Sequence, residues 1–302
     1  MPVAIALALR VLALFVVTVA VGSVLFNALA YHRAALYRRR HPPACPFADD
    51  DPPVPGPARA LRWVRAFGGE CAAAALLTAS VPLALRRPRV HPIALDGRRP
   101  VIFVHGYAQH AANFVCLARR LRRDGWPHLY SVNHLSAVST IERNASRLDG
   151  WIDRVLDESG ATEIDLVAHS MGGLVARACI AARAGRGVAR LITLGTPHQG
   201  TEAFRWLARD PAEMRAGSPL LHRLAARDDV PSLVDCTSIY SAHDALVVPP
   251  GNAYYPGAFN IEVQALGHMS LLFSRRVYEL VRENLVAEAA LPRERDRTRA
   301  GG

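Results

Sequence analysis

Short apolar runs alternate with longer amphipathic segments from residue 100 onward, and this pattern constrains the fold more than any other feature of the chain. A short apolar run is typical of a strand buried on both faces, and apolar residues at helical spacing are typical of an amphipathic helix. Their alternation predicts an α/β fold, with a mostly parallel sheet covered by helices on both faces. The predicted strands are 101–104, 129–132, 164–168 and 188–194, and the predicted helices are 111–123, 139–158 and 171–184.

The composition provides a sizeable core and excludes a mostly disordered chain, since 51% of the 302 residues are hydrophobic and 21% are charged. The formal net charge is +10, and all 36 basic residues are Arg. Residues 1–99 contain 13 Arg against 5 acidic residues, whereas residues 100–302 contain 23 against 21. A nucleic-acid-binding protein needs a basic working domain, so we predict no nucleic-acid partner.

The N-terminal region contains a charge-free apolar run, 11–30, which Arg10 and Arg33 flank. About 20 such residues suffice to cross roughly 30 Å of hydrocarbon as a helix. The alternatives are a buried core helix and a cleaved signal peptide, for which 28–30 resembles a cleavage site. Positive charge directly after the run, in 38–40, resists export and favours an uncleaved anchor in a bacterial inner membrane.

A second apolar stretch, 71–85, follows a Pro-rich segment, 41–59, and decides the membrane topology. It has only about 15 charge-free residues and contains Pro82, so it is short for a membrane span. With a single span, the Arg residues at 33–40 keep the rest of the chain in the cytoplasm. With two spans, the domain after residue 90 faces the periplasm or the exterior. The alternative for 71–85 is a helix packed on the catalytic domain.

Ser170 stands on the predicted turn between the strand 164–168 and the helix that begins at Met171. In parallel sheets the working residues lie at the carboxyl ends of strands, and a sharp strand–turn–helix there exposes a nucleophilic serine. Such a turn requires small residues two positions before and after the serine, and these are Ala168 and Gly172. A chance occurrence of the motif is the alternative, but the strand–helix context favours a nucleophile.

Backbone N–H donors for an oxyanion are predicted at two places. One is Met171, directly after the serine at the start of a helix, and the other is Tyr107, in the loop after the first strand. Gly106 would let the backbone approach closely, and His105 would hold the loop by a hydrogen bond. The alternative for His105 and Gly106 is an ordinary turn.

A nucleophilic serine needs a histidine as base and an acidic residue that orients this histidine. With a serine on a turn of this kind the chain order is serine, acid, histidine, so we expect both partners after Ser170. Asp244 falls just past a predicted strand that ends near 243, although an Asx turn is the alternative for it. The rival carboxylates are Asp228, Asp229 and Asp235.

The predicted base is His268, which follows an apolar run at 259–266. It lies 24 residues after Asp244, on the exit loop of the next strand, which suits a catalytic base. His243 is the runner-up, but it neighbours the acid and precedes it.

The assembled motifs resemble the α/β-hydrolase superfamily, and within it the bacterial triacylglycerol lipases and related esterases, over about 98–286. The resemblance implies a triad of Ser170, His268 and Asp244, with Tyr107 and Met171 as oxyanion donors. Some of these lipases hold calcium and some carry a disulfide; we find no calcium cluster and no obvious partner for Cys236, and predict no cofactor or metal. The motifs that carry the resemblance are 104–107, 168–173 (with His169 and Gly172), 194–201, 214–221, Asp244 and 267–268.

The expected organisation is an N-terminal anchor in 1–35, a linker with the second apolar segment in 36–97, a catalytic domain in 98–288 and a disordered tail in 289–302. The insertion 198–235 is rich in apolar residues, which would suit either a lid over acyl chains or ordinary core packing.

The predicted function is a membrane-associated serine hydrolase of carboxylic esters, a lipase or esterase that acts on medium or long acyl chains. An acyltransferase would use the same acyl-enzyme and pass the acyl group to an alcohol. A non-catalytic membrane protein is the third alternative.

Overall fold

The computed structural model describes residues 2–40, 56–81, 97–134, 136–205, 211–226 and 229–286. Most of the predicted Pro-rich linker, the end of the second apolar segment and the predicted tail therefore lie outside the described residues. The helices are α1 Pro2–Arg40, α2 Gly56–Ala79, α3 Val115–Arg123, α4 Ile141–Ser159, α5 Met171–Arg183, α6 Pro219–Ala226, α7 Val230–Leu233 and α8 Arg275–Val286. The strands are β1 Val101–Val104, β2 Leu129–Val132, β3 Ile164–His169, β4 Val188–Leu194, β5 Asp235–Ser241 and β6 Phe259–Val263.

The six strands form one parallel sheet in the order β2-β1-β3-β4-β5-β6. This confirms the predicted α/β class and every predicted strand, although β6 ends at Val263 rather than at Leu266. The chain passes from β1 to β2 on one side and then to β3 on the other side. The strand order therefore reverses beside β1, and the carboxyl ends of β1 and β3 flank the crevice where open α/β sheets bind ligands.

Both faces of the sheet are buried, as the apolar strands predict. Along β1, Ile102 and Val104 belong to one apolar cluster, whereas Val101 and Phe103 belong to the other, because successive side chains of a strand point to opposite faces. Helices α4 and α5 cover the first face, and α3 and α8 cover the second. Cys179 is buried in α5 within the first cluster.

Helix α1 has exposed apolar side chains in its first part and a packed second part. Within the described residues, one segment, Val17–Arg40, is long and apolar enough to cross a membrane by length and composition. From Asn27 onward α1 has buried positions, and Ala30 and Ala34 pack on the loop after Asp244. The last turn of the predicted span 11–30 is thus in contact with protein. The exposed apolar side chains before it are Leu7, Leu14, Val17, Val21, Val24, Leu25 and Phe26.

Residues 71–79 of the second apolar segment lie in helix α2, which packs on the sheet domain. This helix begins at Gly56, inside the predicted linker, and ends at Ala79. Its buried residues are spaced by three or four positions, so they form one stripe along the helix. This stripe faces the sheet domain, with Leu77 in its second apolar cluster. The buried residues are Ala66, Glu70, Ala73 and Leu77.

The described part of the insertion 198–235 is packed rather than free. Met214, Leu220 and Leu221 are buried in the first apolar cluster, and Phe204 packs against the same cluster. Trp206 and Leu207, on which the lid interpretation also depends, lie outside the described residues. The lid stays a prediction.

Candidate active site

Ser170 lies between the end of β3 and the start of α5, in a sparsely populated backbone conformation with φ 56° and ψ −129°. A positive φ is costly for a residue with a side chain and persists only where the surroundings impose it. Here the Ser170 N–H donates to the Leu194 carbonyl at 2.9 Å, and the Thr196 hydroxyl donates to the Ser170 carbonyl at 2.9 Å. The strand–turn–helix expected of a nucleophilic serine is therefore present.

Glycines allow this turn to approach the end of β1. A Cβ on Gly172 would lie 2.3 Å from the Val104 carbonyl oxygen and 2.6 Å from that of His105. A Cβ on Gly106 would lie 2.7 Å from the Ser170 Cβ. The predicted need for a small residue two positions after the serine thus has a direct cause, which is contact with the backbone of β1.

His268 and Asp244 form a buried pair, with 2.7 Å between Nδ1 and Oδ2 and each side chain 2% exposed. The other carboxylate oxygen of Asp244 accepts hydrogen bonds from the N–H groups of Leu246 at 2.7 Å and Val247 at 3.0 Å. Burial alone would lower the pKa of His268, but the charge of Asp244 and the hydrogen bond to it, together with the charge of Glu70, raise it. The carboxylate can therefore orient the imidazole and stabilise its protonated form.

His169 connects the serine turn to the loop that carries His268. The two imidazole rings are 4.7 Å apart, and Nε2 of His169 lies 3.1 Å from the His268 carbonyl oxygen. Burial lowers the pKa of His169 well below its usual value. The structure thus gathers Ser170, Asp244 and His268 at the carboxyl edge of the sheet, beyond β3, β5 and β6.

The two predicted oxyanion donors lie at one cavity of about 660 Å³, which Tyr107 and Met171 both line. Met171 is the first residue of α5, and the first N–H groups of a helix have no intrahelical partner. The Met171 N–H, at this helix start, can therefore donate to a ligand bound in front of Ser170.

His105 has the contacts of a loop support. The His134 N–H donates to Nε2 of His105 at 3.2 Å, which leaves Nδ1 to donate to the Gly106 carbonyl at 3.0 Å. The imidazole rings of His105 and His134 stack with their centroids 4.0 Å apart. Burial lowers the pKa of His105 to about 4, so this ring is neutral at pH 7.

The rivals of the predicted acid and base lie elsewhere. His243 packs on the Trp63 ring of α2, with centroids 4.7 Å apart. Asp235 begins β5 and so lies at the opposite end of that strand from Asp244. Asp229 precedes α7, before β5 starts, and Asp228 lies outside the described residues.

Three further side chains, which none of the sequence motifs indicates, hold the site together. Gln109 accepts a hydrogen bond from the Gly106 N–H at 2.9 Å, and its Oε1 lies 3.0 Å from Nδ1 of His169. Arg38 of α1 donates to the Asp244 carbonyl at 3.0 Å. Glu70 of α2 accepts from the N–H of Met269, next to His268, at 2.8 Å. A lone acid in an apolar helix was the signal that could have singled out Glu70.

A metal site finds no support in the part of the chain that the structure describes, where no group of three or more His, Cys, Asp or Glu side chains could hold an ion.

Comparison with solved structures identifies the fold. Aspergillus fumigatus lipase B matches with a TM-score of 0.59 and 16% identity, over 68% of this chain and 57% of that one. Bacillus licheniformis lipase BlEst2 matches with a TM-score of 0.57 and 18% identity, over 66% and 96%. This chain has an α/β-hydrolase fold. A family model described as a PGAP1-like alpha/beta domain matches residues 95–206.

Curated relatives match part of this chain. A triacylglycerol lipase from Burkholderia plantarii is 35% identical over 152 residues, which are 48% of this chain and 41% of the relative. A triacylglycerol lipase from Pseudarthrobacter phenanthrenivorans is 38% identical over 112 residues, 35% of either protein. A GPI inositol-deacylase from Candida albicans is 28% identical over 178 residues, 52% of this chain and 40% of the relative. The chain thus spans less than half the length of each.

Proposed function

We propose that this chain is a membrane-associated serine hydrolase of carboxylic esters. The observation that carries the proposal is the buried Asp244–His268 pair beside the strained turn of Ser170, at the carboxyl edge of an α/β-hydrolase sheet. The names of the lipase relatives support the same reaction class.

In the proposed reaction the Ser170 hydroxyl oxygen attacks the ester carbonyl carbon, and Nε2 of His268 takes the hydroxyl proton. The negative oxygen that forms accepts hydrogen bonds from the N–H groups of Met171 and Tyr107. His268 then gives the proton to the departing alcohol, which leaves an acyl group on Ser170. Water, deprotonated by His268, attacks this acyl-enzyme, and the acid departs as Ser170 regains its proton.

The cavity beside the oxyanion donors is the proposed acyl site. Val138, Ile141 and Met214 give it apolar walls next to Met171, and Val138 lies at its rim, 71% exposed. An apolar cavity of this size favours an ester with an acyl chain of several methylenes over acetate.

We expect kcat/KM for p-nitrophenyl esters to rise with acyl length from acetyl to octanoyl. Each methylene that enters an apolar site contributes about 0.8 kcal/mol, which is roughly a fourfold rise at best. Val138→Trp should reduce the increase of kcat/KM with acyl length, because the larger side chain narrows the rim of the cavity. It should leave kcat/KM for the acetyl ester within about twofold of the wild-type value. Val286→Trp, the same change at an exposed site on α8, is the matched control. A steep preference for acetyl or butyryl esters would contradict the acyl-site assignment.

We also propose that α1 is an uncleaved anchor and that the catalytic domain lies on its cytoplasmic side. The exposed apolar side chains of α1 precede the part that packs on the domain, and the Arg residues at 33–40 follow. Arg residues next to the end of a membrane span remain on the cytoplasmic side.

We therefore expect the full chain to stay in the membrane pellet at alkaline pH and to be released by detergent. Replacing Leu14, Val17 and Val21 together by Glu should release it into the supernatant, because a charge at the centre of a span costs about 3 kcal/mol. An N-terminal epitope tag must remain on the mature chain, and its loss would show a cleaved signal instead.

A second candidate is a deacylase of a lipid-linked inositol, which the PGAP1-like match and the name of the Candida albicans relative favour. It would use the same acyl-enzyme on Ser170 and differ only in the leaving alcohol. Hydrolysis of an acylated inositol compared with a diacylglycerol of equal acyl length separates the two candidates. Addition of an alcohol acceptor tests acyl transfer, which would appear as a new ester product.

A further inference from the structure

Glu70 lies at the contact between α2 and the loop that carries His268. Its side chain is 2% exposed, and its carboxylate accepts hydrogen bonds from the N–H groups of Met269 at 2.8 Å and Ser270 at 3.0 Å. A Cβ on Gly267 would lie 2.5 Å from Oε2 of Glu70. The residues on both sides of His268 are thus in direct contact with this carboxylate.

The charge of Glu70 is only partly compensated, and the compensation comes from this loop. Within the described residues its hydrogen bonds come from backbone N–H groups, and no cationic side chain lies within ion-pair distance. Burial raises the pKa of Glu70 to about 7, against the lowering effects of His268 and of the two N–H groups. Asp244 raises it further, by like-charge repulsion.

The other polar groups near Glu70 come from α1 and from its own helix. The Tyr31 hydroxyl of α1 lies on the same side of the loop, 2.7 Å from the position that a Gly267 Cβ would take. Cys71 is the adjacent residue of α2. Arg38 of α1 is held by the carbonyls of Ala242 and Asp244 rather than by Glu70.

We propose that Glu70 is a positioning residue for the catalytic base. Its carboxylate holds the loop on both sides of His268, and its negative charge stabilises the imidazolium that forms when Ser170 gives up its proton. The inference rests on the proposed function. It makes the N-terminal helices part of the catalytic centre as well as an anchor.

The pH dependence of kcat/KM distinguishes this role from a purely structural one. A negative charge near His268 favours the protonated imidazole and so raises the pH at which the base becomes active. Glu70→Gln keeps the shape and an acceptor oxygen but removes the charge. We expect the acid limb to move to lower pH by about half a unit to one unit, and kcat above the limb to fall about tenfold.

Two further variants separate charge from fit. Glu70→Asp keeps the charge but is too short to reach both N–H groups, so we expect kcat to fall severalfold with the acid limb within about 0.3 units of the wild type. It also tests the proposal if Glu70→Gln does not fold. Glu158→Gln, an exposed acid of α4 in an ion pair with Arg154, controls for the change in net charge and should leave the profile unaltered.

The experiment uses full-length protein in detergent with a p-nitrophenyl ester, and thermal unfolding checks the fold of each variant. An acid limb that does not move in a folded Glu70→Gln variant would overturn the inference, as would an equal shift in Glu70→Asp. Ester hydrolysis that persists in Ser170→Ala would instead show that the proposed function is wrong, so the two failures are distinguishable.

Discussion

Ser170→Ala is expected to lower kcat for ester hydrolysis by roughly 10⁴- to 10⁶-fold, because the acyl-enzyme cannot form without the hydroxyl oxygen. The fold should be unaffected, since the backbone hydrogen bonds of Ser170 to Leu194 and Thr196 do not involve its side chain. Kinetics with p-nitrophenyl esters, together with a thermal unfolding curve, measure both effects.

Ser159→Ala is the matched control for this variant. Ser159 is also buried, but it lies at the end of α4, before β3, whereas Ser170 follows β3; its hydroxyl donates to the Val155 carbonyl. Loss of that hydrogen bond should cost about 1 kcal/mol of unfolding free energy and leave kcat within about twofold. More than a tenth of wild-type activity in Ser170→Ala would mean that another group is the nucleophile.

Gly172→Ala is expected to damage both the stability and the activity. The added Cβ would lie 2.3 Å and 2.6 Å from two backbone carbonyl oxygens at the end of β1, which cannot yield as a flexible side chain would. This steric overlap is removed only if the serine turn and β1 move apart. We therefore expect a loss of about 3 kcal/mol in unfolding free energy. The proposed oxyanion donors lie on these two segments, so kcat should fall at least about a hundredfold.

Gly150→Ala provides the same substitution in open space. A Cβ on Gly150 would meet nothing within 4 Å, and the residue lies inside α4. Alanine should there increase the unfolding free energy, by up to about 1 kcal/mol, because it is the better helix former. Denaturant unfolding of both variants gives the comparison. A Gly172→Ala variant as stable as the wild type would refute the close contact between the serine turn and β1.

The sheet and the positions of the candidate triad follow from local sequence patterns. Strands buried on both faces require continuous apolar runs, and a serine between a strand and a helix requires a small residue such as Gly172. The chain order then directs attention to Asp244 and His268, each beyond a strand. These features could be predicted because each depends on residues close together in the sequence, and because parallel strands bring their carboxyl ends to one edge.

For the N-terminal helices, the sequence pattern does not predict which environment buries the apolar side chains. An apolar segment can be buried either in lipid or against the surface of a domain, because removing its apolar side chains from water is favourable in both cases. The sequence therefore left the segment 71–85 open, and tertiary packing places its residues 71–79 in α2, against the domain. The same packing brings residues about 27–40 of α1 against the loop after Asp244.

The sequence by itself determined the α/β class and the alternation of strands and helices along the chain, and it predicted a serine, an acid and a histidine at the ends of strands. Only the tertiary structure decided that Glu70 and Arg38 hold the loops beside His268 and Asp244. Each of these contacts joins a side chain to backbone groups about 200 residues away. Almost every residue has a backbone N–H and a carbonyl. The sequence therefore does not indicate which of these groups will form a hydrogen bond with a distant carboxylate or guanidinium group.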